Sequence, residues 1–166
     1  DIAAAFSFFR DRLPKGKRVA ILTPSGGAGI WLADVCEAHG LEVPPLDAAT
    51  RAAIDALLPA YGTSRNPVDV TAQVIFQLGY APVLERLAAS PSIDAVLVAG
   101  SLGLLRYVEP QLDALTALGK RIDMPVIFCA YTLARPEAVA LLAGAGFPCL
   151  TSMPDRKSTR LNSSHS

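Results

Sequence analysis

The chain has 166 residues, 51% of them hydrophobic and 18% charged, with 15 basic against 15 acidic side chains and a mean hydropathy of +0.36. Those figures suit one domain with a substantial core and exclude a disordered or collagen-like chain. A net charge of zero leaves no electrostatic footprint for nucleic acid or for an anionic membrane surface.

Residues 1–12 place Ile2, Ala5, Phe6 and Phe9 near helical spacing, with Leu13 continuing the row. A lead-in helix and linker over 1–16, arriving from a preceding domain, is the expectation. Residues 18–23 form a short apolar run, as in a strand buried on both faces. Pro24, Ser25, Gly26, Gly27, Ala28 and Gly29 read as a tight glycine-rich turn. Residues 30–39 read as an amphipathic helix that Gly40 closes. Residues 41–44 predict a short strand. A helix follows over 47–58, with Asp47 or Thr50 as its cap and Pro59 as its stop.

Residues 61–66 form a polar loop, and 67–70 a brief extended segment. A helix over 73–89 is expected to bend near Gly79 and Pro82. Residues 95–99 are the cleanest strand, followed by a small-residue loop over 100–105. A helix over 108–118, a strand over 125–130, a helix over 135–143 closed by Gly144 or Gly146, and a strand over 147–151 complete the pass. Strand and helix alternate about five times, and the strands hardly alternate polar with apolar. That pattern predicts an α/β fold of three layers, α/β/α: an open, flavodoxin-like parallel sheet of about five strands.

The longest apolar stretch, 95–105, is broken by Gly100, Ser101 and Gly103 and is too short to span a bilayer. No signal-peptide pattern is visible, so a cytoplasmic chain is expected. Cys36, Cys129 and Cys149 are odd in number, lack metal-ligand spacing and sit among apolar neighbours, as small buried thiols do in a reducing compartment.

The last residues break the pattern. From Asp155 to His165 the chain matches, residue for residue, one reading frame of a common sequencing-library adapter. A tail over 155–166 foreign to the native protein is expected, and without it 14 acidic residues face 12 basic ones. The chain starts at Asp1 rather than Met. Both ends suggest a fragment of a longer protein, with the domain proper over 17–154.

In a sheet of this kind ligands sit at the carboxyl ends of the strands. The loop from Ser25 to Gly29 joins the first strand to its helix. Bare glycines let an anion approach the backbone N–H groups, and the helix N-terminus adds roughly half a positive charge. Ser25 can cap that helix or donate to a phosphate oxygen. The competing reading is a tight turn that needs glycine for positive φ and close packing. The loop lacks the third glycine of a dinucleotide motif, and no Gly-Lys-Ser/Thr follows. Asp47 lies 18 residues past Gly29, near the spacing of a ribose-binding acid, but a helix cap suits it better.

Asn66-Pro67-Val68-Asp69 is the second signal. Asp69 ends a short strand at the ligand edge, where it could accept N–H bonds from the glycine loop or simply stabilise a turn. Thr71 in the next loop, and Gly100, Ser101 and Gly103 after the fourth predicted strand, would support the same edge. His39 at a helix end suits the helix dipole, and Trp31 suits a core or an interface. Nothing in the pattern suggests a catalytic triad, paired carboxylates or a metal cluster.

Three stretches together resemble the NDP-forming acyl-CoA synthetases, relatives of succinyl-CoA synthetase that include ADP-forming acetate–CoA ligase. They are residues 13–23 (LPKGKRVAILT), Ser25-Gly26-Gly27-Ala28-Gly29 and Asn66-Pro67-Val68-Asp69. The resemblance implies the second flavodoxin-like ligase domain of such an enzyme. Its partners would be a CoA-binding domain, a flavodoxin-like domain bearing a phosphorylated histidine, and an ATP-grasp pair, in an oligomeric parent. The parent would use CoA, ADP/ATP and Mg to convert acyl-CoA, ADP and phosphate reversibly into acid, CoA and ATP; the fragment itself would hold no cofactor.

The resemblance also implies that two facing helix N-termini cradle the phosphohistidine. Ser25 to Gly29 would open one of them, with the Gly100 to Gly103 loop at the border. The histidine motif itself, and the CoA-binding and ATP-grasp sequences, are missing from the chain, so no catalytic residue is expected and the fragment alone should be inactive. Two other readings stay open. One is a synthetase-like module fused to a protein-lysine acetyltransferase, the other a free-standing nucleotide- or flavin-binding module. An exposed apolar patch near Trp31 or on the lead-in helix should mark the docking surface.

Overall fold

The computed structural model describes residues 12–151. The expected lead-in helix lies outside them except for its last residue, and so does the whole of the expected foreign tail. Five parallel strands form one sheet in the order β2-β1-β3-β4-β5. They are β1 (Val19–Thr23), β2 (Val68–Asp69), β3 (Ala95–Gly100), β4 (Val126–Ala130) and β5 (Cys149–Leu150). Every residue of β1 is buried, which is why its sequence shows no polar alternation.

Six α-helices connect the strands: α1 (Gly26–Ala38), α2 (Ala48–Asp55), α3 (Thr71–Leu78), α4 (Ala81–Ala88), α5 (Leu112–Gly119) and α6 (Pro136–Gly144). Among the described residues helix α1 alone packs on one face, where Leu32 and Cys36 meet Val19, Ile21, Ala99 and Cys129. The other five cover the opposite face around a larger core that includes Ile54, Leu84, Leu115, Phe128 and Leu142. The layers are α/β/α, as the pattern predicts. The order places the topological switch between β1 and β3, the position at which sheets of this type open a crevice for ligands.

Local physics sets the boundaries. Helix α1 ends in paired reverse bonds, Leu41 N–H to the Cys36 carbonyl (2.9 Å) and Gly40 N–H to that of Glu37 (3.0 Å), with Gly40 at φ 76°. This is the Schellman arrangement, and glycine supplies its left-handed residue. The helix expected over 73–89 is two, α3 and α4, separated at Gly79 with φ 75°. The helix expected from Val108 starts only at Leu112, after two 3-10 turns, Leu105–Tyr107 and Glu109–Gln111; Pro110 has no N–H to give the ladder.

The strand expected over 41–44 does not form. Only a single bridge, Arg18 to Glu42, survives there. The edge of β1 it would occupy is taken by the Asn66 side chain. Its amide nitrogen donates to the carbonyls of Val19 (2.8 Å) and Pro44 (2.9 Å), and its oxygen accepts the Ile21 N–H (2.9 Å). One side chain thus completes the pairing that the backbone of Glu42 makes only with Lys17 and Val19.

Candidate functional site

The structure changes the reading of the glycine-rich segment. It is not a turn that precedes a helix; it is the first turn of α1 itself. Ser25 is the N-cap, with φ −140° and ψ 108°, and its side chain makes no capping bond. The buried Thr23 hydroxyl shapes the entry instead, accepting from the Ser25 N–H and donating to the Ser25 carbonyl, both at 3.0 Å. That carbonyl also takes the first helical bond, from Gly29 N–H at 3.0 Å. The N–H groups of Gly26, Gly27 and Ala28 therefore have no partner inside the helix. No acidic residue stands in the first turn to neutralise them.

The three glycines are there for different reasons. None of them has positive φ; that conformation belongs to Gly40, Gly79 and Gly146. A β-carbon on Gly29 would lie 2.8 Å from Thr23 Cγ2 and 3.1 Å from Pro67 Cβ, so Gly29 is required for α1 to sit on the sheet. A β-carbon on Gly26 would lie 2.9 Å from Asp69 Oδ2. At Gly27 a β-carbon would meet nothing within 4 Å, and the residue is exposed. Packing explains two glycines and leaves the middle one unexplained. That bare, solvent-facing residue leaves open access to the unpaired amides around it.

The other anticipated residues divide into neighbours and scaffold. Asp69 pairs in register with Thr23 at the carboxyl edge. Its Oδ1 accepts the Thr71 N–H at 3.0 Å, which is an Asx turn, while Oδ2 faces Gly26. Among the described residues the glycine loop makes no hydrogen bond to it. Thr71 has φ 65°, an outlier for a β-branched residue. Its Oγ1 is the only buried side-chain oxygen or nitrogen among the described residues without a partner. Asn66 belongs to the scaffold, because all three of its side-chain bonds hold backbone. Gly100 ends β3 beside the Tyr80 hydroxyl; Tyr80 is buried, and burial pushes its phenol up. Ser101 Oγ lies 3.3 Å from Thr132 Oγ1. Gly103 packs against the Leu133 carbonyl, 3.2 Å from where its β-carbon would stand.

Several residues are placed away from this edge. His39 caps the far end of α1. Trp31 is half-buried against the core under α1. Asp47 caps α2, accepting the Thr50 N–H at 2.9 Å. Burial raises the thiols of Cys36 to about 11 and of Cys129 and Cys149 to about 12, which keeps them protonated and inert at neutral pH. A cavity of about 560 Å³ opens at the opposite, amino end of the sheet, lined by Leu13, Arg18, Asp94, Leu118 and Arg121 among others. Its arginines are already paired, Arg18 with Asp94 and Arg121 with Glu85. Thr23 was not anticipated; Thr23-Pro24-Ser25 has the spacing of a hydroxyl turn, which was the available signal.

The Ligase-CoA domain family matches residues 19–104, just over half of the chain. The chain belongs to that family. A 34% identical stretch of 89 residues, 54% of the chain and 19% of the relative, links it to the alpha subunit of acetate–CoA ligase (ADP-forming) II from Pyrococcus furiosus. Another, 31% identical over 97 residues, links it to 4-hydroxybutyrate–CoA ligase (ADP-forming) from Nitrosopumilus maritimus, covering 58% of the chain and 13% of that protein. The chain thus spans a fifth or less of the curated relatives it matches. A solved structure from Pyrococcus horikoshii superposes with a TM-score of 0.73 at 23% identity, over 89% of this chain and 35% of the other. The acetyl-coenzyme A synthetase 1 of Candidatus Korarchaeum cryptofilum gives 0.64 at 22%, over 90% and 32%. The likeness expected from the three motifs is therefore borne out for family and fold. Among the described residues no helix is long and apolar enough to cross a membrane.

Proposed function

We propose that this Ligase-CoA domain serves an NDP-forming acyl-CoA synthetase by presenting the first turn of α1 to a phosphoryl group carried on a histidine of another domain. The observation that carries the reading is the contrast within the first turn. Gly26 and Gly29 are fixed by packing, whereas Gly27 faces open space beside unpaired N–H groups.

The chemistry suits that surface. In the parent reaction phosphate displaces CoA from the acyl carbon, leaving an acyl phosphate and the CoA thiol. A histidine nitrogen then takes the phosphoryl group as the P–O bond breaks and the carboxylic acid departs. The terminal oxygen of ADP next takes it as the N–P bond breaks, giving ATP. In each transfer the three equatorial phosphoryl oxygens carry negative charge. Preorganised N–H dipoles at a helix start stabilise such charge without reorganising. CoA, ADP and Mg would be held by the parent's other domains, and this domain would contribute Ser25 to Gly29 with Asp69, Thr71 and the Ser101 loop around them. The ADP-forming ligase activity in the relatives' names supports the reading.

The test is Gly27→Val in the full-length protein. Phosphoenzyme formation, followed with labelled phosphate, and overall turnover should both fall. Wild-type values for both would overturn the proposal.

A further inference from the structure

The exposed large apolar side chains occur on several elements: Ile30 on α1 beside Trp31, Phe76 and Leu78 on α3, and Leu133, 92% exposed, after β4. Another, Leu13, is 59% exposed and stands on the wall of the cavity of about 560 Å³ at the amino end of the sheet. The apolar part of that wall includes Ala88, Ile93, Leu118, Ile122 and Met124. These residues come from the ends of α4 and α5 and the segments that follow them. The charged part holds two ion pairs, Arg18 with Asp94 at 2.8 Å and Arg121 with Glu85 at 2.7 Å, together with exposed Lys15 and Asp123.

The described chain starts at this cavity. Arg12 Nη1 donates to the Gly119 carbonyl at 2.9 Å. Gly119 is the last residue of α5, so the guanidinium sits at the negative pole of that helix and satisfies one of its end carbonyls. In the sequence, Ile2, Phe6, Phe9 and Leu13 follow one another at intervals of four, three and four residues, which on a helix is one stripe. Leu13 is the member of that stripe within the described residues, and it lines the cavity. Eleven residues span about 16 Å as a helix, enough to cross a wall built from two helix ends that pack about 8–10 Å apart.

We infer that the cavity is the seat of residues 1–11, with Phe6 and Phe9 on its apolar wall. The tether selects the occupant. A segment joined to the cavity through Arg12 and Leu13 has an effective concentration of about millimolar, which a free partner does not match. The charge fits too, because the carboxyl ends of α4 and α5 favour cations and the segment brings Arg10 next to Arg12 in the same turn. The seat lies at the edge of the sheet opposite the opening of α1, so the inference is independent of the role proposed there.

The test compares Phe9→Asp with Phe8→Asp in the full chain. Phe8 falls off the stripe, so the pair separates docking from a general loss of apolar surface. Phe9→Asp should lower the melting temperature by about 5 °C and raise hydrogen–deuterium exchange at residues 119–125 several-fold, while residues 19–23 keep their protection. Phe8→Asp should do neither. A second variant acts from the wall: Ala89→Arg, at an exposed position that lines the cavity, should raise exchange across residues 1–11. Wild-type melting and exchange in Phe9→Asp and Ala89→Arg overturns the inference. Equal losses in Phe8→Asp and Phe9→Asp overturn it as well, because the stripe is then not the docking face. Protection at residues 119–125 that vanishes on dilution overturns it in favour of the same segment from a second copy.

Discussion

The Asp69 carboxylate fills the space where a side chain on Gly26 would begin: Oδ2 is 2.9 Å from the position of that β-carbon. The same carboxylate holds the Thr71 N–H through Oδ1, so it cannot swing aside without releasing the turn after β2. Gly26→Ala should therefore push α1 outward or break the Asx turn. Gly29→Ala should do similar damage against Thr23 and Pro67. Each should cost about 1–3 kcal/mol, the usual range for overpacking, read as a lower urea midpoint with an unchanged slope.

Gly27 should behave in the opposite way. With no atom within 4 Å of its β-carbon position, Gly27→Ala meets no clash and gains helix propensity, so stability should stay level or rise by about 0.5 kcal/mol. Phosphoenzyme formation should nevertheless fall, and fall further for Gly27→Val. Opposite signs for stability and activity at one glycine separate a ligand-approach role from a packing role. Parallel losses would mean that Gly27 is structural after all.

The contrast among these glycines explains how much was legible in the chain. Strands β1, β3 and β4 are readable because two-sided burial makes them continuous apolar runs, and the helices between them require a parallel sheet. The start of α1 was not readable. Glycines at 26, 27 and 29 have poor helix propensity, and local pattern assigns them to a loop; the contacts that require glycine at 26 and 29 come from Thr23, Pro67 and Asp69, 6 to 43 residues away in sequence. The missing strand over 41–44 was hidden for the same reason, since Asn66 takes its place only once the chain has folded. The site's edge could be located from the βα rhythm, whereas the exposure of Leu133 and the strain at Thr71 could not.

Asn66 gives a sharper test of that scaffold. Asn66→Asp keeps the shape and the bond from Ile21 N–H, but it turns both donated bonds, to Val19 and Pro44, into contacts between acceptors. At neutral pH the loss should be roughly 3 kcal/mol, larger than two ordinary hydrogen bonds because a charge is left facing two carbonyls. Differential scanning calorimetry from pH 7 to pH 4 should show the variant partly recovering as the new carboxyl protonates and regains one donor. A pH-independent deficit would argue that the site simply rearranges.

Acid should loosen the fold through Asp47. The Thr50 amide, the Thr50 hydroxyl at 2.7 Å and the Ser90 hydroxyl at 2.7 Å all donate to its carboxylate, and these bonds hold it well below the usual carboxylate range, the Thr50 amide first. A folded-state pKa below the unfolded value means the unfolded chain binds the proton more readily, so the contribution is complete above about pH 4 and disappears as pH falls through the folded value. Asp94, lowered by its hydrogen bonds to Arg18, acts with the same sign. Melting temperature should therefore drop steadily below about pH 4. Asp47→Asn should start lower at pH 7 and show a shallower drop, because the clamp between α2 and the end of α4 no longer depends on a proton. An equally steep drop in the variant would assign the acid sensitivity to other carboxylates.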